Sequence, residues 1–383
     1  MSANSSTVVP SAGGAPGDAA TPDREVPRIG FVERATSWDW LLGAFAVFVI
    51  VLAVLTTDNF SNSFNLESSL TRMAAKALMV LPLAMLIIAR QIDISVASIG
   101  GLAGITFGLT VEAGAPFPLA IVVALLTGAA CGSLNGFLVT KLGLPSLIVT
   151  LGTLAMFRGL CYVLVGGTPI SGMPEALRDF VNGSVPGTFI PYAIVPFLIL
   201  LPIAAVILHR TVFGRRVYAI GGNPDTARYS GVRTESVLFR LFVASGLAAA
   251  IAGIIQTGIT SSASPDGLFG FELDVVTVCF LGGISFLGGR GRMTGVAWSL
   301  VIVIVLRSVL QLRNVAAFGQ AAIVGVVLIV SLLLVNVVAK VGAARATKRT
   351  VAGRSTHVPA ATDFELTAPT TTTTPTDNQR STS

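Results

Sequence analysis

Apolar residues in this chain come in runs of about twenty, parted by short polar breaks, and that spacing admits few folds. A helix needs roughly 20 such residues to cross the hydrocarbon core, where every backbone polar group must be satisfied within the protein. Only 11% of the 383 residues are charged and 53% are apolar, whereas a soluble domain carries about a quarter charged. With a mean hydropathy of +0.80, the chain cannot cover its surface with solvated groups, so lipid is its solvent. The runs are read as ten spans, near 39–57, 71–90, 94–112, 118–140, 145–165, 190–209, 237–259, 274–290, 293–312 and 317–340. The expected fold is therefore all-α, a polytopic membrane domain over residues 38–340.

Orientation follows from lysine and arginine, which collect on the cytoplasmic side of short loops. An even number of spans puts both termini on one side. With that side cytoplasmic, it holds Arg24, Arg28, Arg34, Arg90, Lys141, Arg290 and Arg292. A loop over 210–236 adds Arg210, Arg215, Arg216, Arg228 and Arg233, and the C-terminal flank adds Lys340, Arg345, Lys348, Arg349 and Arg354. The opposite side receives Asp58, Glu67, Glu112, Glu175, Asp179, Asp266, Glu272 and Asp274, with few basic residues. Both termini are thus expected in the cytoplasm.

Residues 1–37 are polar and rich in Ala, Gly, Pro and Ser, without the pattern of a cleaved signal peptide. Residues 341–383 include the tract TAPTTTTTPT. Segments so poor in apolar residues cannot bury enough surface to fold, and both tails are expected to be disordered. Cys131, Cys161 and Cys279 lie in apolar runs without paired spacing, and His209 and His357 sit in no ligand motif. Neither a disulfide framework nor a metal site is suggested.

Four strings depart from plain apolar sequence. Gln91–Ser98, QIDISVAS, is a polar break between two runs. Asp93, Ser95 and Ser98 suit a helix start, where side-chain oxygens accept from free backbone N–H groups. They equally suit a break lining a cavity, because irregular backbone at membrane depth persists only under protein or water. Leu144–Gly159, LPSLIVTLGTLAMFRG, opens a span at Pro145 without losing a needed donor. Thr150 and Thr153 bond the preceding turn or face another helix, and Gly152 permits close packing. Arg158 either snorkels to the outer interface or faces the interior, and the expense of a bare guanidinium in lipid favours the interior.

Phe280–Gly295, FLGGISFLGGRGRMTG, holds six glycines. A phosphate-loop reading fails for want of a GK[ST] ending and a preceding strand. In a membrane segment, Gly282, Gly283, Gly288 and Gly289 around Ser285 instead allow close helix crossing or a broken helix. The last string, Gly214–Val232, reads GRRVYAIGGNPDTARYSGV. An ordinary cytoplasmic loop accounts for its arginines. It does not account for the Gly221–Gly222–Asn223–Pro224 turn followed by a short helix-capable run.

These strings, in this order, resemble the ribose-type (carbohydrate uptake class 2) permease subunits of ABC importers. QIDISVAS is similar to the family's IDLSVGS, with Ala97 for its Gly; LPSLIVTLGTLAMFRG to PPFIVTLGTLxxxRG, with Leu144 for the first Pro. FLGGISFLGGRG is similar to LGGTSLxGGxG, with Ile284 for Thr, so no direct sugar contact is expected at 284. The resemblance runs from Trp40 to Val338. It implies a permease fold in which Asn223–Gly231 is a coupling helix seated in a cleft of an ATP-binding subunit. Gly214, Arg215, Ala219, Gly221, Gly222, Asn223, Ala227, Arg228 and Gly231 would form that coupling loop. It also implies a translocation pathway past Asp93, Ser95, Ser98, Thr150, Thr153 and Arg158, and past Gly282, Gly283, Ser285, Gly288 and Gly289.

No nucleotide-binding loop occurs in the sequence, so no ATP hydrolysis, cofactor or metal is expected of this chain itself. The resemblance assigns ATP and Mg to a separate ABC ATP-binding subunit. It further implies an extracytoplasmic sugar-binding protein on outer loops 166–189 and 260–273, a second permease subunit (identical or related), surrounding membrane lipid and no nucleic acid. The expected cargo is a monosaccharide or related sugar, aldoses ahead of other polyols and signalling sugars. The alternative, an ion-coupled secondary transporter of a small polar solute, needs titratable groups deep in the spans, and only Asp93 and Arg158 stand out for it. A membrane enzyme would need an acid–base pair, a metal cluster or an activated nucleophile, and His209 has no evident partner.

Overall fold

The computed structural model describes residues 31–330 and Leu333, with side chains from Asp39 onward. The tails expected to be disordered lie outside the described residues, except that the first helix, α1, reaches back to Phe31. It runs Phe31–Thr56 and is followed by α2 (Ser63–Ile88), α3 (Val96–Glu112), α4 (Phe117–Thr140) and α5 (Ser146–Val165). A two-residue strand β1 (Ile170–Ser171) and α6 (Glu175–Asn182) lead to α7 (Val195–Arg210), α8 (Val212–Gly222) and α9 (Pro224–Tyr229). Next come α10 (Thr234–Thr260), β2 (Ser262–Ala263), α11 (Phe271–Leu281) and α12 (Met293–Leu312), then α13 (Ala317–Val330).

Seven of these helices are long and apolar enough to cross a bilayer, counting the turn of Tyr192–Ile194 with α7. All ten expected positions carry a helix, but α3 and α13 are shorter apolar helices and α11 has only 11 residues. The run read as a span over 274–290 breaks because Gly282 caps α11 and Gly283 turns left-handed at φ +79°. Further left-handed turns at Gly288 (+75°) and Gly289 (+71°) fold the remainder into a hairpin. Residues 331–332 and 334–340 of the last expected span lie outside the described residues.

Two helices organise the packing. In α2, 89% of the membrane-length window is buried, the largest share of any span, and α7, α10, α11 and α12 surround it. The second organiser, α10, crosses α3 and α4 at glycines on both sides. A Cβ on Gly246 would lie 2.1 Å from the Gly128 carbonyl oxygen, one on Gly132 2.4 Å from that of Phe242, and one on Gly253 2.1 Å from that of Gly100. Lipid tails are as apolar as leucine, so helices in a bilayer associate through such close packing rather than hydrophobic exclusion.

One end of the bundle is closed by loops. β1 pairs antiparallel with β2 through Ile170–Ala263 and Ser171–Ser262. Leu177 and Val181 of α6 pack on Gly258 near the end of α10. The opposite end carries α8, α9 and the glycine-rich hairpin.

Candidate functional site

At that second end, three stretches of backbone interlock without intervening side chains. Gly289 N–H donates to the Ile88 carbonyl at 2.8 Å. Gly221 of α8 lies against both partners: a Cβ there would sit 1.8 Å from the Ile88 oxygen and 2.5 Å from the Gly289 nitrogen. Arg90, left-handed at φ +64°, donates from Nε to the Leu287 carbonyl at 2.6 Å and crowds Gly288. Gly214 is equally constrained, its missing Cβ falling 1.9 Å from the Leu208 oxygen where α7 turns into α8. Thr211 stabilises that turn, accepting from Gly214 N–H at 3.3 Å.

Tyr218 completes the clasp by donating to the Gly291 carbonyl at 2.6 Å. Burial pushes its phenol up to about 12, so it stays a donor at physiological pH. His209 has partners that the sequence did not reveal: Nε2 accepts from Met293 N–H at 3.3 Å, and Nδ1 lies 3.4 Å from the Tyr218 hydroxyl.

This clasp carries α9 outward. Asn223 caps the helix, its Oδ1 accepting from Asp225 and Thr226 N–H at 3.0 Å each, with Pro224 in the first turn. Gly231 closes the turn after it at φ +81°. Among the residues expected to couple, Gly214, Gly221 and Ala227 are buried, whereas Arg215, Ala219, Gly222, Asn223, Arg228 and Gly231 are exposed. Tyr229, which the motif did not single out, is 91% exposed at the tip.

The Gln91–Ser95 break lies just beyond Arg90 and turns inward. Asp93 is fully buried. Its Oδ1 accepts from Ser95 N–H (3.1 Å) and Oγ–H (2.6 Å), and its Oδ2 from Ser245 of α10 (2.8 Å). Asn135 of α4 donates to Ser95 Oγ at 2.8 Å, and Ser98 donates to the Ser95 carbonyl at 2.8 Å. From α5, Thr150 donates to the Ile92 carbonyl at 3.2 Å while Ser146 accepts from Ile92 N–H at 3.2 Å. Thr153 is buried one turn further on. The helix-start reading is not met, because Ser95, the residue preceding α3, makes no side-chain cap; Asp93 instead fixes Ser95 and joins the buried break to α10.

Arg158 faces inward. Its guanidinium is 3.9 Å from Glu272 and stacks 4.8 Å from the centroid of Phe269, while the neighbouring Tyr162 donates to Asp266 at 2.7 Å. These contacts join α5 to the 260–273 loop, away from Asp93. Gly282 forms the close crossing of α11 with α12, its oxygen 2.1 Å from where a Gly295 Cβ would be. Ser285 N–H donates to the Arg290 carbonyl at 3.0 Å within the hairpin. The structure thus groups Ser285, Gly288 and Gly289 with α8 rather than with the polar break.

A model of the family described as branched-chain amino acid transport system / permease component matches residues 65–337. The chain belongs to this family. It is similar to the autoinducer 2 import system permease protein LsrC of Yersinia enterocolitica, 38% identical over 272 residues, covering 69% of this chain and 72% of that one. It is also similar to LsrD of the same system in Salmonella typhimurium, 33% identical over 276 residues, 70% of this chain and 82% of that one. LsrD of Photorhabdus luminescens is 33% identical over 272 residues, covering 70% and 81%. No solved structure matches. The protein is accordingly a multi-pass membrane permease, a transport subunit of the kind the four motifs suggested.

The permease has one charged group that its sequence concealed. Lys76 of α2, 7% exposed, pairs with Asp274 of α11, 3% exposed, at 2.6 Å. Arg307 of α12 binds the other oxygen of the same carboxylate. Asp274, counted above with the outer acids, is therefore an interior residue, and Asp93 and Arg158 are not the only charges deep in the spans. Scarcity of titratable groups is no argument against ion coupling here; family membership is. A lysine in mid-span was the available signal, since charge at that depth is costly unless paired.

Proposed function

We propose that this permease is the translocation subunit of an ATP-driven importer for a small sugar-like molecule, coupled to a separate ATP-binding subunit through α8 and α9. The observation that carries the reading is the backbone clasp at Gly221, Ile88 and Gly289. A push on α9 passes through α8 to the end of α2 and to the hairpin before α12 without a compressible side chain between them. Packed interiors transmit such shifts because they deform little. The exposed Arg228 and Tyr229 are the contacts for the partner, which would bind ATP and Mg.

The cytoplasm is assigned to the α8–α9 end, in keeping with the lysine and arginine distribution. An extracytoplasmic binding protein then meets the loops held by the β1–β2 pair. A second permease subunit fits against α5, which exposes Gly152, Ala155 and Gly159 along one face, with no atom within 4 Å of where a Cβ on either glycine would be. Small residues on a span allow close approach of another helix.

A sugar-like cargo is favoured over an amino acid, which the family's description names, on chemical grounds. Around the polar break the side chains Ser95, Ser98, Asn135, Thr150, Thr153 and Ser245 are neutral and buried, and Asp93 is already satisfied by three donors, so the break offers no free charge to an amino acid. The autoinducer 2 import of the relatives agrees with a small polyol.

The test is reconstitution with the cognate ATP-binding subunit and binding protein. Arg228→Glu and Tyr229→Ala are expected to lose the ATPase during purification and to abolish uptake, with the membrane domain still folded. Retention of the ATPase by both variants would remove the docking role from α9. Competition of labelled autoinducer 2 uptake by ribose and by leucine separates the cargo classes, and inhibition by leucine alone would overturn the sugar reading.

A further inference from the structure

Beyond the coupling face, the opposite half of the molecule holds a cavity of about 70 Å³ between α2, α12 and α13. Its walls include Ser69, Arg72, Lys76, Arg307, Ser308 and Gln320. At about 10–15 Å³ of such space per water, the cavity suits several waters or one small oxyanion. It lies about 24 Å along α2 from Ile88, taking Arg72 as its level and 1.5 Å of rise per residue. Its exposed rim residue, Gln311, is at the end of α12 remote from the clasp.

The charge in this cavity does not balance. Three cations, Arg72, Lys76 and Arg307, stand beside a single carboxylate, Asp274, both of whose oxygens are taken by Lys76 and Arg307. Arg72 forms no ion pair among the described residues. Its guanidinium donates only to hydroxyls of its own helix, Ser68 at 2.7 Å and Ser69 at 3.2 Å. Arg307 keeps a buried Nε with no hydrogen-bond partner. A surplus of two positive charges in a partly buried, membrane-embedded site is costly unless a counter-ion enters. The free donors belong to two guanidiniums and an ammonium, the groups that bind phosphate through charge-assisted hydrogen bonds.

We propose that this cavity is an anion site that takes a phosphate group, supplied either by a phospholipid headgroup or by soluble phosphate. In both cases the phosphate oxygens meet the guanidinium groups of Arg72 and Arg307 that line the cavity, while Asp274 continues to hold Lys76. Occupancy ties α2 to α12 and α13.

The test uses the purified full-length permease and reads its melting temperature and the lipids it retains. Inorganic phosphate is titrated against chloride at matched ionic strength, and bound phospholipid is counted by native mass spectrometry. Wild type is expected to be stabilised by phosphate or to retain a defined phospholipid; the first identifies the soluble source and the second the lipid. Arg72→Gln should weaken that response at least tenfold yet melt higher than wild type when no anion is present, because it removes uncompensated charge. Arg72→Lys, which keeps the charge but not the planar fork, should fall between them and carries the test if the Gln variant does not fold. Arg178→Gln, at an exposed ion pair with Glu175, is the control and should respond as wild type does. The proposal is overturned if wild type neither responds to phosphate nor retains phospholipid, or if Arg72→Lys or Arg72→Gln binds as wild type does. It is also overturned if Arg178→Gln loses the response to the same extent as the Arg72 variants.

Discussion

Adding one methyl group at Gly221 is expected to disable the permease, whereas the same change one residue later is harmless. The Gly221→Ala methyl would begin 1.8 Å from the Ile88 oxygen and 2.5 Å from the Gly289 nitrogen. Ordinary contact needs about 3.4 Å or more, so α8 must retreat by well over an ångström. That retreat disturbs the 2.8 Å bond from Gly289 to Ile88, because the methyl enters between its two partners. Overpacking costs about 1–3 kcal/mol, and a buried backbone group left without its bond costs about 1–3 kcal/mol more. A destabilisation of about 2–6 kcal/mol follows from adding these two ranges. Gly222 has nothing within 4 Å of its missing Cβ and no positive φ, so Gly222→Ala should be neutral or slightly stabilising through helix propensity. The assay is thermal unfolding of both variants in detergent, followed by ATPase-driven uptake in liposomes. Equal melting temperatures and equal uptake for Gly221→Ala and wild type would refute the clasp.

Four further outcomes follow from the packing. Asp274→Asn leaves Lys76 and Arg307 without their counter-charge and should destabilise by about 3–5 kcal/mol, with partial recovery in the Lys76→Met/Asp274→Asn double variant, both read as melting temperature. Ser245→Ala removes one of three donors to buried Asp93 and should cost about 1–3 kcal/mol without altering ATPase retention. Gly246→Ala, whose methyl would meet the Gly128 oxygen at 2.1 Å, should sharply lower the yield of folded protein, whereas Gly152→Ala should not. Tyr218→Phe loses the bond to the Gly291 carbonyl and should cost about 0.5–1.5 kcal/mol; ultraviolet titration of wild type should show this phenol ionising only near pH 12.

The sequence exposed what depends on local order and hid what depends on contact between distant segments. Long apolar runs located the spans because membrane helices satisfy their own backbone. The Asn223–Pro224 pair located the start of α9 because its cap is built from adjacent residues. Gly221 and Gly289 were visible as glycines, but their role is mutual: each is required by a segment 68 residues away (289 − 221), and no local pattern encodes that. The sharing of Asp274 by two cations escaped for the same reason, since Lys76 and Arg307 reach it from two other helices, α2 and α12. Arg158 was legible in part. The cost of a bare guanidinium in lipid turned it inward, but nothing near it in sequence named Glu272 or Phe269.

The way α9 rests on the rest of the molecule separates two evolutionary problems. Only Ala227 of that helix is buried, while Asp225, Thr226, Arg228, Tyr229 and Ser230 point away. On the proposed coupling role, mutations in these outward positions would retune which ATPase is recruited while the membrane bundle keeps its packing. Duplicated permeases would thereby change their motor without changing their pore, and the proposed role predicts that a short graft between Asn223 and Gly231 exchanges it.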